Sequence, residues 1–301
     1  MAARLFLSGP MRGYPRLNHD AFDRAAALLR YRGYAVTSPA EMDRIAGIDP
    51  GNPETWDDEM VRNLMRYDLS CVITDAAVVT LPGWYRSWGA TLEVMVARAV
   101  GTPVLRFEQG DGPLVPAGPR ALVGLCGYAQ SGKDSLAAGM AEYGWHRLAF
   151  ADRLKDAASS ALPRVDRQLV EQCGWTDGLK AQHRPMLQEL GAKVRDLRDD
   201  AWVTPVLDAM HESPDSMYVV TDVRYPNEAD ALRSWGGTIV RVERPGRESD
   251  GHQSERPDLI KHDLVLRNGG SLDDWAYKAK LLAQSMEYAA RARAEECCRC
   301  V

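Results

Sequence analysis

Gly127, Gly132 and Lys133 stand at the spacing G-x4-G-K in the run Gly127-Tyr128-Ala129-Gln130-Ser131-Gly132-Lys133. That spacing lets consecutive backbone N–H groups curl around a phosphate while the lysine neutralises its oxygens. Alone it is weak, since two glycines and a lysine recur at fixed spacing by chance in roughly one sequence of this length in ten. The context strengthens it: the apolar run Ala121 to Cys126 leads in and a helical stretch from Lys133 leads out. The residue after Lys133 is Asp134, where the usual loop has Ser or Thr to help hold magnesium, and Ser135 follows. The metal contact can therefore come from Asp134, from Ser135 or through water.

Other charged residues fall at strand ends. Asp222 closes the apolar run Tyr218 to Thr221, and a carboxylate at the carboxyl end of a parallel strand faces the ligand crevice and suits a metal. Arg224 points the same way in an extended chain and can meet a phosphate, although a surface ion pair would also account for both. The turn Phe150-Ala151-Asp152-Arg153-Leu154-Lys155 supplies further cations for an acceptor phosphate.

A second constellation lies near the N-terminus. Ser87 is placed to cap the helix that follows, so that its hydroxyl and the free N–H groups of the first turn make an anion site. Gly89 and Glu93 are four residues apart and share a helical face, leaving room for a substrate to approach the carboxylate. Gly9-Pro10-Met11-Arg12-Gly13 supplies a polar loop at the same sheet edge. Ser87 can equally be only a cap and Glu93 only a surface residue.

The elements that must position these groups alternate short apolar runs with amphipathic stretches, which predicts α/β architecture with parallel sheets covered by helices. In the first part we expect strands at Arg4 to Ser8, Tyr34 to Ser38, Ala76 to Leu81 and Pro103 to Phe107, and helices at Leu17 to Arg32, Trp56 to Leu69 and Ser87 to Val100. Glu108 to Arg120, rich in Gly and Pro, reads as a linker. A second unit then begins at Ala121, with strands at Ala121 to Cys126, His146 to Phe150, Met217 to Thr221, Thr238 to Val242 and Asp263 to Leu266. A helical insertion fills Leu154 to His211, and a long helix runs from Leu272 to about Ala294. The expected organisation is two three-layer domains, 1–108 and 121–301, joined by 109–120.

Length and composition agree. The 301 residues suffice for two cores, and 45% hydrophobic with 26% charged residues is the composition of a folded globular protein. No run of about eighteen apolar residues could span a bilayer, and no basic region with a long apolar stretch marks a leader, which gives a cytoplasmic expectation. A net charge of −5 argues against a long nucleic-acid backbone as the main partner, and leaves small anions. Cys71, Cys126 and Cys173 read as small core residues. Cys297, Cys298 and Cys300 crowd a tail expected to fray, with no second pair or histidine to complete a metal site.

From Ala121 onward the chain resembles the deoxynucleoside monophosphate kinases of bacteriophages. The resemblance rests on Ser131-Gly132-Lys133-Asp134, the turn at 150–155, Arg184-Pro185-Met186-Leu187-Gln188-Glu189-Leu190-Gly191, Thr221-Asp222-Val223-Arg224-Tyr225-Pro226-Asn227-Glu228, His252-Gln253-Ser254-Glu255 and Asn268-Gly269. It implies a P-loop kinase fold and transfer of the γ-phosphoryl of ATP, with Mg2+, to a deoxynucleoside monophosphate. By that resemblance Lys133 binds the ATP phosphates, Asp152, Arg184, Gln188 and Arg224 serve the acceptor, and Asn268 lies near the adenine. On the same resemblance Arg244 or Arg247 would close over the phosphates, although arginines in a polar loop are usually only solvated. An aspartate after the loop lysine also recurs in the family.

Residues 4 to 107 resemble the nucleoside deoxyribosyltransferase superfamily, in particular its branch hydrolysing the N-glycosidic bond of nucleoside 5′-monophosphates. The features are Ser8-Gly9-Pro10-Met11-Arg12-Gly13, Asp68, Asp75 and Ser87-x-Gly89-x3-Glu93. They imply a flavodoxin-like sheet, Glu93 as nucleophile, Ser87 and the helix N-terminus as phosphate holders, and Asp68 as candidate general acid. A homo-oligomer through this domain also follows from the resemblance. The combined expectation is a bifunctional nucleotide enzyme. The alternatives are a kinase with a non-catalytic sensing or assembly module, and a P-loop kinase acting on bases in DNA.

Overall fold

A computed structural model describes residues 2–49, 58–108, 114–247 and 256–300. The His252-Gln253-Ser254-Glu255 motif, the expected helix start at Trp56 and the first part of the expected linker lie outside these residues. The chain divides into two compact units, Met1–Gly118 with Ser234–Gly236 and Tyr288–Val301, and Pro119–Arg233 with Gly237–Glu287. Both are α/β with mostly parallel sheets.

In the first unit the strands are β1 (Arg4–Ser8), β2 (Ala35–Thr37), β3 (Ala77–Thr80), β4 (Val104–Arg106) and β5 (Val115–Pro116). Their order is β2-β1-β3-β4-β5, parallel except for the β4–β5 pair. β1 and β3 are apolar and almost fully buried because helices cover both faces. With α1 (His19–Tyr31), whose Phe22, Ala25, Ala26 and Leu29 face inward, they form the core. Going outward from β1 the chain leaves in opposite directions to β2 and β3, so the crevice at the carboxyl ends of β1 and β3 is the topological switch point where such sheets bind ligands.

Two features differ from expectation. The expected linker contributes β5, which pairs Leu105 with Pro116 and Arg106 with Val115. A two-residue edge strand carries too little apolar pattern to stand out among Gly and Pro. The helix expected from Leu17 begins instead at His19, since Arg16, Leu17 and Asn18 have positive φ (48°, 52° and 58°) and the Asn18 amide donates to Pro10 O at 2.8 Å. Two further helices, α2 (Pro39–Ile45) and α3 (Asp58–Thr74), precede β3, and α4 (Trp88–Val100) follows it.

The second unit has β6 (Ala121–Cys126), β7 (Trp145–Leu148), β8 (Met217–Val220), β9 (Thr238–Glu243) and β10 (Leu264–Arg267) in the all-parallel order β10-β9-β6-β8-β7. Central β6 is buried at every residue. The helices are α5 (Lys133–Ala141), α6 (Phe150–Ser159), α7 (Arg164–Cys173), α8 (Asp177–Gln182), α9 (Arg184–Leu197), α10 (Thr204–Glu212), α11 (Pro226–Ser234) and α12 (Leu272–Cys300). Helix α11 stood in a stretch left without an element, and α12 continues as helix through the tail expected to fray. Of the single cysteines, Cys71 and Cys126 are buried as expected, but Cys173 is exposed at the end of α7. Among the described residues no helix is long and apolar enough to cross a membrane.

Candidate functional site

The loop after β6 is shaped by two glycines. Gly127 has φ 137°, and a Cβ there would lie 2.3 Å from Val242 O. Gly132 has φ 105° and forms the N-cap of α5, with a would-be Cβ 2.3 Å from the Asn268 amide nitrogen. Only residues without a side chain fit both places. Lys133 Nζ donates to Gly127 O and Tyr128 O, each at 2.7 Å, so the ammonium sits over the loop mouth. Ser131 is buried within the loop, 3.4 Å from that ammonium. Arg244 reaches Gln130 O at 3.3 Å, whereas Arg247 is exposed beyond β9. Asn268 donates to Ser131 O at 2.9 Å, and Trp275 donates its indole N–H to Gly132 O at 3.1 Å.

Asp222, just past β8, accepts from the backbone N–H of Phe150 (2.8 Å) and Ala151 (2.9 Å), one on each oxygen. Those are orphan donors of the first turn of α6, so the carboxylate fixes that helix against the sheet. This explains why the strand expected to reach Phe150 stops at Leu148. Asp134 is 83% exposed in the first turn of α5, and Ser135 is exposed beside it. Arg147 of β7 contacts Asp152 at 2.9 Å and lies 3.9 Å from Asp134.

A cavity of ≈ 200 Å³ opens between the loop and the helical insertion. Ala129 of the phosphate loop and Asp222 line it on one side. Lys155, Lys180, Arg184, Arg195 and Arg224 supply cations, and Gln188 supplies an amide. Phe150, Leu154, Leu187, Trp202 and Tyr225 form apolar and aromatic walls. Such a mixture of flat apolar surface and converging cations suits a molecule with a ring at one end and an anion at the other.

One wall is held by Glu228. It is buried, accepts from Arg224 N (2.8 Å) and Tyr225 N (3.1 Å) at the start of α11, and receives Arg195 Nη2 at 3.1 Å. Arg195 in turn covers the Tyr225 ring at 4.0 Å. Burial, with Asp222 nearby, pushes the Glu228 carboxyl up to about 7.

Of the expected acceptor residues, Lys155, Arg184, Gln188 and Arg224 converge on this cavity; Asp152 and Arg153 do not line it. Asp152 is engaged by Arg147 and Lys155, which hold its carboxyl below the ordinary range against the opposing effect of burial. Arg153 is exposed and faces Asp156 at 3.9 Å. The helical period carries both to the outer side of α6 while Leu154 and Lys155 face in. Lys180, Arg195, Trp202, Tyr225 and Glu228 were missed. Arg195 had a signal, for Arg184, Gln188, Gly191 and Arg195 repeat at four, three and four residues along one face of α9.

In the first unit, Ser8 Oγ donates to Glu93 Oε2 at 2.6 Å, joining the end of β1 to α4 at the switch point. Burial pushes Glu93 up to about 8 against that hydrogen bond, with Asp68 adding to the rise. Burial and Asp43 push Asp68 up to about 7. Asp43 itself is paired with buried His19 at 3.1 Å, and Asp75 accepts from Thr37 at 2.8 Å. Ser87 caps α4 by accepting from Ala90 N at 3.4 Å. A Cβ at Gly89 would meet nothing closer than Ser87 Oγ at 4.0 Å, so the face above Glu93 is open there. Gly9 packs so closely on Leu81 that a Cβ would lie 2.9 Å from it, and Arg12 is exposed in the same loop.

A family model described as deoxynucleotide monophosphate kinase matches residues 180–279, and one described as a domain of unknown function (DUF4406) matches residues 3–106. An Acanthamoeba polyphaga mimivirus protein, provisionally named a deoxynucleotide monophosphate kinase, is 31% identical over 178 residues, covering 51% of this chain and 91% of the relative. The deoxynucleotide monophosphate kinase of Enterobacteria phage T4 is 43% identical over 65 residues, which is 21% of this chain and 27% of that protein. The Escherichia phage RB69 enzyme of the same name is 44% identical over 59 residues, 19% of this chain and 24% of that protein. Among solved structures, TT1252 from Thermus thermophilus aligns at TM-score 0.34 and 16% identity over 56% of this chain and 98% of its own. Dephospho-CoA kinase from Campylobacter jejuni aligns at TM-score 0.35 and 11% identity over 57% and 98%. By its match to nearly the whole mimivirus relative, the chain belongs to the deoxynucleotide monophosphate kinase family.

Proposed function

We propose that the second unit transfers the γ-phosphoryl of ATP to the 5′-phosphate of a deoxynucleoside monophosphate. The observation that carries this reading is that Ala129 of the phosphate loop lines the same cavity as Lys155, Lys180, Arg184 and Arg224. Donor and acceptor phosphates would therefore meet at one place. An acceptor phosphate oxygen attacks the γ-phosphorus, the bond to the β–γ bridging oxygen breaks, and ADP leaves with that oxygen. Lys133, on leaving the loop carbonyls it now contacts, neutralises the β and γ oxygens, while the cavity arginines offset charge on the acceptor and align it.

Among the described residues no three His, Cys, Asp or Glu side chains form a metal-holding group. Mg2+ keeps several waters and takes only one or two carboxylates besides substrate phosphates. Exposed Asp134 and the spare lone pairs of Asp222 would hold it, with Ser135 next along the helix, and the ion would neutralise charge on the ATP oxygens.

A second activity is favoured by the Ser8–Glu93 contact at the switch point. In this reading the first unit cleaves the N-glycosidic bond of a nucleoside 5′-monophosphate. With one proton shared by the pair, the form with the proton on Asp68 reacts: ionised Glu93 attacks the anomeric carbon as Asp68 gives its proton to the departing base, and water then releases the sugar and returns a proton to Asp68. Ser87, its helix N-terminus and Arg12 would hold the 5′-phosphate. The two units would act as separate domains, the chain passing from the first to the second at Gly118 and Pro119. Chromatography of each deoxynucleoside monophosphate incubated with the protein separates the readings. Diphosphate requiring ATP supports the kinase, and free base without ATP, absent in Glu93→Ala, supports the hydrolase. No diphosphate from any of the nucleotides would refute the first reading, and no free base the second.

A further inference from the structure

We propose that Asn268 and Trp275 are positioning residues of the phosphate loop, aiming the backbone N–H groups of Gly132 and Lys133 at the ATP phosphates. The inference rests on the kinase reading and deepens it.

The argument begins with peptide geometry. In a trans peptide the C=O and the following N–H point in opposite directions, and the described residues contain no cis bond. Ser131 O and Gly132 N–H share one peptide; Gly132 O and Lys133 N–H share the next. A donor that fixes either oxygen from behind therefore turns the partner N–H to the front. Asn268 Nδ2 holds Ser131 O at 2.9 Å, and Trp275 Nε1 holds Gly132 O at 3.1 Å beside the helical bond from Leu136 N at 3.0 Å. Both donors lie against the bare Cα of Gly132, where a Cβ would sit 2.3 Å from the amide and 3.1 Å from the indole nitrogen.

These donors are themselves fixed. Asn268 N donates to Glu243 O at 2.7 Å, which registers it on the end of β9. Ser271 and Asp274 exchange backbone and side-chain hydrogen bonds of 2.9 Å and 3.1 Å at the start of α12. That reciprocal cap sets the helix start at Leu272, three residues before buried Trp275. Lys278, one turn further along α12, donates to Arg267 O at 2.7 Å. The sequence resemblance implies that Asn268 lies near the adenine; its amide donates to the loop that would hold phosphate.

The test compares binding of MgATP with that of magnesium tripolyphosphate, which keeps the phosphates and lacks the base, by calorimetry on the full chain. Asn268→Ala and Trp275→Phe should each weaken both ligands about five-fold, the effect of one lost hydrogen bond. Asn268→Asp, which sets a carboxylate oxygen against Ser131 O, should weaken both about ten-fold or more. If Asn268→Ala weakens MgATP alone, the residue serves adenine and the proposal is overturned. Parental binding of both ligands by Asn268→Ala and Trp275→Phe overturns it too, while leaving the kinase reading intact. If the parent protein binds neither ligand, the kinase reading falls and takes the proposal with it. Should Trp275→Phe fail to fold, the two substitutions at half-exposed Asn268 carry the test.

Discussion

Replacing Glu93 with glutamine should stabilise the first unit at high pH while abolishing any hydrolytic activity there. Burial raises this carboxyl from 4.5 to about 8. A carboxyl raised in the folded state contributes stability below its unfolded pKa, and that contribution is lost as pH rises through the folded value. The displacement from 4.5 to about 8 corresponds to at most about 5 kcal/mol. It already includes the opposing Ser8 hydrogen bond, and partial solvation of the side chain reduces it to about 2 kcal/mol. Glutamine keeps the shape and never ionises. At about pH 9 Glu93→Gln should therefore raise the melting temperature of the responding transition by about 8 °C, and at about pH 5 leave it within a few degrees. Differential scanning calorimetry of parent and variant at both pH values measures this. A variant no more stable at high pH, or one equally stabilised at both, would refute the buried-charge argument.

Three further outcomes are expected. Arg184→Ala should raise KM for the deoxynucleoside monophosphate about ten- to a hundred-fold in steady-state assays, the effect of a lost charged hydrogen bond, with KM for ATP unchanged. A rise in KM for ATP alone would place Arg184 with the wrong nucleotide. Gly127→Ala must accommodate a Cβ 2.3 Å from Val242 O at φ 137°, so calorimetry should show loss of ATP binding, and denaturation a cost of about 3 kcal/mol. Base release by the first unit needs one proton shared between Asp68 and Glu93, so its rate should peak between about 7 and about 8 and fall on both sides. A flat pH profile would remove this pair from the reaction.

What could be read from the sequence followed physical range. β1, β3, β6 and β8 are covered on both faces, so each shows a continuous apolar run that needs no context. The phosphate loop was legible because backbone curvature demands glycine at fixed local spacing. In the proposed acceptor cavity, Arg184 and Gln188 were implied by the family resemblance, and the face of α9 that they share with Arg195 is the local pattern that could have extended it. Its other wall depends on contacts between distant residues. Asp222 holds N–H groups more than seventy positions away, and Glu228 looks like any acid in a polar helical stretch until Arg195 is found beside it. Asp152 and Arg153 fall off the cavity-lining face because the helical period turns them away from Ala151, Leu154 and Lys155. Likewise β5 pairs only two residues, too few to leave a pattern.

The central claim is that phosphoryl transfer occurs where the Gly127–Lys133 loop meets the cationic cavity. Its most direct test is transfer of isotopic label from the γ-position of ATP to each deoxynucleoside monophosphate, comparing the parent protein with Lys133→Ala. The parent should yield labelled deoxynucleoside diphosphate from at least one nucleotide, and Lys133→Ala should yield essentially none. Labelled diphosphate formed by Lys133→Ala at the parental rate, or no labelled diphosphate from the parent with any nucleotide, would contradict the account.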